Sequence, residues 1–294
     1  MKMKFSLILC TVGRYKEVED FFASLSMQQF KNYELIVVDQ NSHDRIKELV
    51  ERYSEKLTQI KYFKVDFKGL SRARNFGLQH AEGDILAFPD DDCKYPEDLL
   101  MKVNEKFESE DIDILTGRSI DDTTGSESNV RWKKKKTKLT KMVLLETCIS
   151  YTIFVKACCV ISNKVRFDER LGVGSGTPFQ SAEETDFIYQ LIQLGCRGIY
   201  DPEVYVYHPE KIVEYSEQTI QRAFYYSMGM GALFKKHIED KRFLIVLTRL
   251  LLRAFGGILY NLLKGNLKGA KFYCKVLAGR WGGFRQFKDE KVQR

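Results

Sequence analysis

The chain has 294 residues, 44% of them hydrophobic and 30% charged, a balance that excludes a disordered or fibrous chain and suits one large globular domain or two smaller ones. Its seven cysteines include no CxxC pair and no paired metal spacing, which argues against a zinc ribbon and for buried, reduced thiols in a cytosolic protein. The formal charge of +7 is modest and unevenly spread: acidic residues cluster near Asp90 and Glu183, whereas Lys133–Lys136 and the stretch after residue 235 are basic surfaces of the kind that meet nucleic acid or an anionic membrane.

The N-terminal "MKMKFSLILCTVGR" has the outline of a signal peptide, but its apolar run, Phe5 to Cys10, is too short for one and continues into a turn. "KFSLILC" is predicted as a strand and "EVEDFFASLSMQQF" as an amphipathic helix. "YELIVVD" has the unbroken apolar character of a strand buried in a parallel sheet. A helix from about Arg45 to Leu57, a strand near "IKYFKVD", a helix over "LSRARNFGLQHA" and a strand over "GDILAFPD" follow. Pro96 suits the first turn of another helix. "IDILTGRSI" and "CCVISNKVRF" are predicted as strands, with the lysine-rich loop between them. "SAEETDFIYQLIQLG" is predicted as a helix closed by Gly195, "GIYDPEVYVYHP" contains a strand, and the pattern from Ser216 onward is helical and apolar. Strands alternating with helices in this way predict a doubly wound α/β sheet, whose ligands bind beyond the carboxyl ends of the strands. Asp39 and Asp90 stand at two such ends.

"FPDDDC" drives a strand into three consecutive carboxylates. Hard divalent cations take oxygen ligands, and Mg²⁺ often binds one or two carboxylates together with substrate phosphates. The alternative is an acidic turn that caps the next helix. "SAEE" fits a capping box from Ser181 to Glu184, and Glu183, Glu184 and Asp186 all suit the positive end of a helix dipole. "GVGSGT" follows the polar "RFDER", not a strand, so it predicts a flexible loop over an acceptor and not a phosphate cradle. His208 ends a strand, either completing a metal site or serving as a structural histidine.

Taken together, "ELIVVDQNS", "GLSRARNFGLQHAEGDILAFPDDD" and "GVGSGTPFQSAEETDFIYQL" resemble the family 2 glycosyltransferases, over about residues 4 to 210. The resemblance implies a GT-A fold: a Rossmann-like, nucleotide-sugar-binding mixed α/β sheet with helices on both faces, here followed by a helical C-terminal region. It implies a catalytic domain over 1–212, with a nucleotide-binding half (1–105) and an acceptor-binding half (106–212), and a helical region over 213–294. The implied reaction moves a sugar from a nucleotide-sugar donor to a saccharide or lipid-linked acceptor hydroxyl with inversion, with Mn²⁺ or Mg²⁺ as cofactor. Glu184 is then the general base. Asp90, Asp92 and His208 are the metal set. Thr11, Arg14, Asp39, Gln40, Arg74, Asp90 and Asp91 belong to the donor site, with Asn75 near it, and Gly174, Glu183 and Asp186 to the acceptor site. Nucleic acid is not expected as a partner.

The chain departs from the family pattern in three places. "CTVGR" lacks the aromatic that many relatives carry after the first strand, Asp39-Gln40 replaces two aspartates, and Glu184 replaces the more usual aspartate. The base of the donor stays open on these grounds, because an amide both donates and accepts where an ionised carboxylate only accepts. Phe243 to Leu263 is long enough to span a bilayer, but Arg249 and Arg253 would each cost about 2.5–3.5 kcal/mol at its centre. The stretch therefore reads as an interfacial helix, which would hold the protein on the cytoplasmic face of the cell membrane, or as a buried core helix. A metal-dependent nucleotidyltransferase and a non-catalytic nucleotide-sugar-binding or membrane scaffold protein stand as the other readings.

Overall fold

The computed structural model describes residues 2–128, 132–210 and 214–288. The chain forms two compact units. The first comprises Met1–Lys68, Arg72–Phe167 and Phe187–Lys211; the second comprises Gly69–Ser71, Asp168–Asp186 and Ile212–Arg294. The boundary expected at 212/213 falls outside the described residues.

The first unit is built on one eight-stranded sheet. Its strands are β1 (Phe5–Thr11), β2 (Tyr33–Asp39), β3 (Ile60–Lys64), β4 (Ile85–Ala87), β5 (Ile114–Ile120), β6 (Thr137–Lys138), β7 (Ile153–Lys156) and β8 (Gly198–Tyr207). Their order is β3-β2-β1-β4-β7-β5-β8-β6. β1 pairs parallel with β2 and β4, and β2 with β3, whereas β7 runs antiparallel to both β4 and β5. The sheet is therefore mixed, and its parallel half has β1 and β2 buried at every position. That burial explains their unbroken apolar sequences, since both faces are covered. Phe5, Leu7 and Leu9 of β1 face Val18, Phe21, Phe22 and Leu25 of α1 (Lys16–Ser26), together with α2 (Arg45–Tyr53) and α4 (Leu99–Ser109). On the opposite face, Gly77 of α3 (Leu70–Leu78) lies against Ile8 and Val38.

Most predicted elements are present with shifted ends. β4 is only three residues long, because Phe88 leaves the sheet and Pro89 has no N–H for a ladder. The helix expected from Pro96 begins at Leu99, whose N–H is bonded to the Pro96 carbonyl at 3.0 Å. "CCVISNKVRF" is not a strand. Ala157–Ile161 forms the short helix α5, and the strand is the preceding "IFVK" of β7. A short apolar run carries no period that separates a buried strand from one turn of buried helix.

α6 (Glu183–Gln193) links the units in sequence and ends before Gly195, which takes φ +88°. The second unit contains α7 (Glu217–Lys236), α8 (Lys241–Leu263) and α9 (Leu267–Gln286). Ser216, Asp240 and Asn266 cap them by accepting from Thr219, Arg242 and Phe243, and Gly269 N–H groups respectively. α7 and α9 approach so closely that a Cβ at Gly283 would lie 2.0 Å from the Met228 carbonyl oxygen. Only glycine permits that contact.

Candidate active site

The three carboxylates of "FPDDDC" leave the sheet at the carboxyl end of β4. Phe88 is fully buried and anchors the turn edge-on against Phe167 and Phe187, with centroids at 5.1 and 5.4 Å. The Cys93 N–H closes the turn on the Asp90 carbonyl at 3.2 Å. Each aspartate then meets a different partner set. Asp90 accepts from Arg74 Nη2 at 2.9 Å and Ser150 Oγ at 3.1 Å. Asp91 accepts from Thr11 Oγ1 at 2.8 Å and Arg14 Nη1 at 2.6 Å. Asp92 lies 2.6 Å from the same Arg14 nitrogen and 3.1 Å from His208 Nε2. Burial pushes the Asp91 carboxyl up to about 6, against the lowering effect of Arg14 and Thr11.

The turn after β1 holds Arg14 in place. Gly13 takes φ +76°, and its N–H donates to Asn41 Oδ1 at 2.6 Å. Arg74, at the buried side of α3, is 1% exposed and lies 5.4 Å from the Phe167 ring centroid. Asn75, expected near the donor, clamps the Phe167 backbone, donating to its carbonyl and accepting from its N–H, each at 2.9 Å.

The ligand atoms of Asp90, Asp92 and His208 all lie within 4.8 Å of one another. Their fit to a divalent cation can be tested on His208. Its Nδ1 is 2.9 Å from the Pro209 carbonyl, which can only accept, so Nδ1 carries a proton. A neutral ring then presents the Nε2 lone pair to an Asp92 oxygen that also only accepts. A second proton or a cation between them resolves the repulsion, and a histidine oriented through its other nitrogen is a common metal-ligand arrangement. Tyr151 stacks on the ring at 4.6 Å and holds its plane. The donor set fits a divalent metal.

At the ends of β2 and β3, Asp39 is fully buried. Its Oδ1 accepts from the Asn41 N–H at 2.8 Å and Asn41 Nδ2 at 2.7 Å, and its Oδ2 from the Tyr62 hydroxyl at 2.8 Å. Gln40 is buried too. Its carbonyl accepts from Lys68, but its side-chain Oε1 has no hydrogen-bond partner among the described residues. A buried amide oxygen left so costs about 1–3 kcal/mol, a common mark of a ligand position. A cavity of about 520 Å³ opens at these strand ends, lined by Asn41, Lys64, Val65, Asp66, Phe67 and Phe76.

The second unit carries the other predicted residues. Gly172, Gly174 and Gly176 all take left-handed φ values, so "GVGSGT" is a wound turn. Gly174 also lies so near the Gly69 backbone that a Cβ would come within 3.4 Å. Ala182, immediately before α6, is held at φ +74°, a strained value for a residue with a Cβ. Of the three carboxylates in the first turn of α6, Glu183 and Asp186 are buried and Glu184 is half-buried. Asp186, expected at the acceptor, accepts from Lys236 Nζ at 2.9 Å, at the end of α7, and from Nε2 of the following His237 at 2.7 Å. With both oxygens bonded and no exposure, it ties α6 to α7.

A family-wide profile described as "Glycosyl transferase family 2" matches residues 6–166. The chain belongs to that family. This family 2 chain is 28% identical over 114 residues to the cholesterol galactosyltransferase of Borreliella burgdorferi, covering 39% of this chain and 32% of that protein. It is 30% identical over 116 residues to the poly(ribitol-phosphate) beta-N-acetylglucosaminyltransferase TarS of Staphylococcus aureus, covering 38% and 20%. The family 2 chain thus spans about a third or less of the length of these relatives. The crystal structure of S. aureus TarS 1–349 superposes with a TM-score of 0.61 at 19% identity, over 97% of this chain and 92% of that one. The mannosyltransferase PcManGT from Pyrobaculum calidifontis, solved with GDP-Man and Mn²⁺, superposes with 0.66 at 15% identity, over 96% and 87%. The GT-A fold expected from the sequence is therefore present.

Ser150 and Tyr151 were not singled out in the sequence. They precede β7 and reach the acidic turn only through space, so no local motif marks them. The Lys133–Lys136 patch, read as a free basic surface, is largely neutralised: Lys133, Lys134 and Lys136 pair with Glu146, Glu127 and Glu110, each at 2.6 Å.

Proposed function

We propose that the protein transfers a sugar from a nucleotide-sugar donor to a hydroxyl of a saccharide or lipid-linked acceptor, with inversion, within a catalytic domain spanning residues 1–212. The observation that carries this reading is the Asp90–Asp92–His208 cluster at the carboxyl edge of the sheet, flanked by Arg14 and Arg74. A divalent cation held by Asp90, Asp92 and His208, Mn²⁺ by preference for an imidazole-containing set, would neutralise charge on the leaving diphosphate. Arg14 and Arg74 supply fixed positive charge to the same leaving group and need little reorganisation to do so. Gln40 and the neighbouring cavity, with Asp39 shaping the loop, support a seat for the nucleoside. Thr11 holds Asp91 and thereby the turn.

Glu184 is assigned the general base, since it alone among the three α6 carboxylates is part-exposed. It takes the acceptor proton as the hydroxyl attacks the anomeric carbon, and the bond to the diphosphate breaks on the opposite face. The curated relative in B. burgdorferi is named for a lipid acceptor. Together with the apolar α8, that supports an acceptor and a working position at the inner face of the cell membrane. Incubation with a panel of nucleotide sugars, Mn²⁺ and membrane extract tests the reading. Release of a nucleoside diphosphate that needs both metal and acceptor is expected; release of pyrophosphate from nucleoside triphosphates instead would replace it with nucleotidyl transfer.

A further inference from the structure

α8 has three distinct flanks. Phe243, Val246, Ala254 and Asn261 are buried among its neighbours. Arg280 of α9 donates to the Leu250 carbonyl at 2.6 Å, and Gly257 lies against the Tyr273 ring. On the far side Ile245, Leu252, Phe255, Leu259, Leu262 and Leu263 recur at helical spacing, and all are exposed, Leu263 to 88% and Leu252 to 66%. Between these flanks runs a stripe of Arg242, Arg249, Arg253 and Lys264, all exposed and without an acidic partner among the described residues. Tyr260 fills the gap in that stripe and is 63% exposed.

We infer that α8 docks in the plane of an anionic lipid leaflet, apolar flank in the acyl region and basic stripe at the headgroups. The inference deepens the proposed membrane position and rests on it. Charge complementarity selects the occupant, because an apolar face edged by uncompensated arginines matches the boundary between acyl chains and anionic headgroups. The tyrosine on the same edge suits the headgroup level. A bilayer-spanning α8 fits poorly. Its midpoint is bonded to Arg280, and α9 also carries Lys268, Lys271 and Lys275, so crossing would take a strongly charged helix into hydrocarbon.

The test uses the full chain and phosphatidylcholine vesicles with or without about 30% phosphatidylglycerol. Co-sedimentation should require the anionic lipid and should weaken about tenfold or more when salt rises from about 0.05 M to about 0.5 M. Arg249→Glu with Arg253→Glu should weaken it about tenfold or more, and Leu252→Glu with Leu259→Glu should abolish it. All four positions are exposed, so both variants should retain wild-type circular dichroism and melting. Equal binding to neutral vesicles, or binding that survives both variants, would overturn the inference. So would a dimer in vesicle-free solution that the leucine variant dissociates, since the face would then belong to a second copy. Binding of UDP and GDP with Mn²⁺, measured without vesicles, separates this outcome from the catalytic reading: the leucine variant should keep it, and its absence from the wild type would count against the transferase alone.

Discussion

Glu184 and Asp186 stand two residues apart on one helical turn and differ in burial. Asp186 is sealed against Lys236 and His237, whereas Glu184 keeps partial exposure. Glu184→Gln preserves size and still offers an acceptor oxygen, but cannot take a proton. Transfer by this variant should fall roughly 10²-fold or more with donor affinity nearly unchanged. Steady-state kinetics beside calorimetry would check both; near-normal turnover would move the base to another group. Ser181, expected to cap α6, uses its Oγ to donate to the Tyr226 carbonyl at 2.6 Å. At this scale the sequence singles out candidates that share a contiguous motif, as in Asp90 to Asp92, which the fold brings beside His208. It was silent on Ser150 and Tyr151, and on the bonds by which the Asn75 amide holds the Phe167 backbone. Burial and hydrogen-bond partners are properties of the folded neighbourhood, which residue type alone does not determine.

The tie between α6 and α7 extends to Asp168, which accepts from Arg170 and from the same Lys236. Burial alone would raise the Asp168 carboxyl, yet Arg170 and Lys236 hold it well below the usual carboxylate range. A carboxyl depressed in the folded state lends stability that is fully present above its unfolded value of about 3.9 and is lost as pH falls toward the folded value. Urea unfolding should therefore show a drop in stability between about pH 5 and about pH 3, and Asp168→Asn should flatten that drop. An identical acid response in the variant would assign the acid sensitivity elsewhere. Element types were legible where the apolar period was long, as for β1, β2 and α1. They failed at "CCVISNKVRF", where the apolar run is a single helical turn following the true strand. The close α7–α9 approach was invisible because nothing local distinguishes Gly279 and Gly283 from Gly282, the third glycine of "AGRWGGF".

Across the whole molecule, the alternation of strands and helices was enough to expect a doubly wound α/β sheet, and the resemblance to family 2 glycosyltransferases narrowed that to a GT-A fold. The grouping of the chain was not legible, because Gly69–Ser71 and Asp168–Asp186 cluster with the C-terminal helices through contacts between distant positions. The central claim is that Asp90, Asp92 and His208 hold a divalent cation through which a nucleotide-sugar donor is bound. Calorimetry of UDP- and GDP-sugars with the full chain, with Mn²⁺ and with EDTA, for the wild type and Asp92→Asn, tests it most directly. The wild type should bind a donor only with Mn²⁺, and a folded Asp92→Asn protein should bind it about tenfold or more weakly. Donor affinity that is the same in both proteins with Mn²⁺ present would contradict the claim.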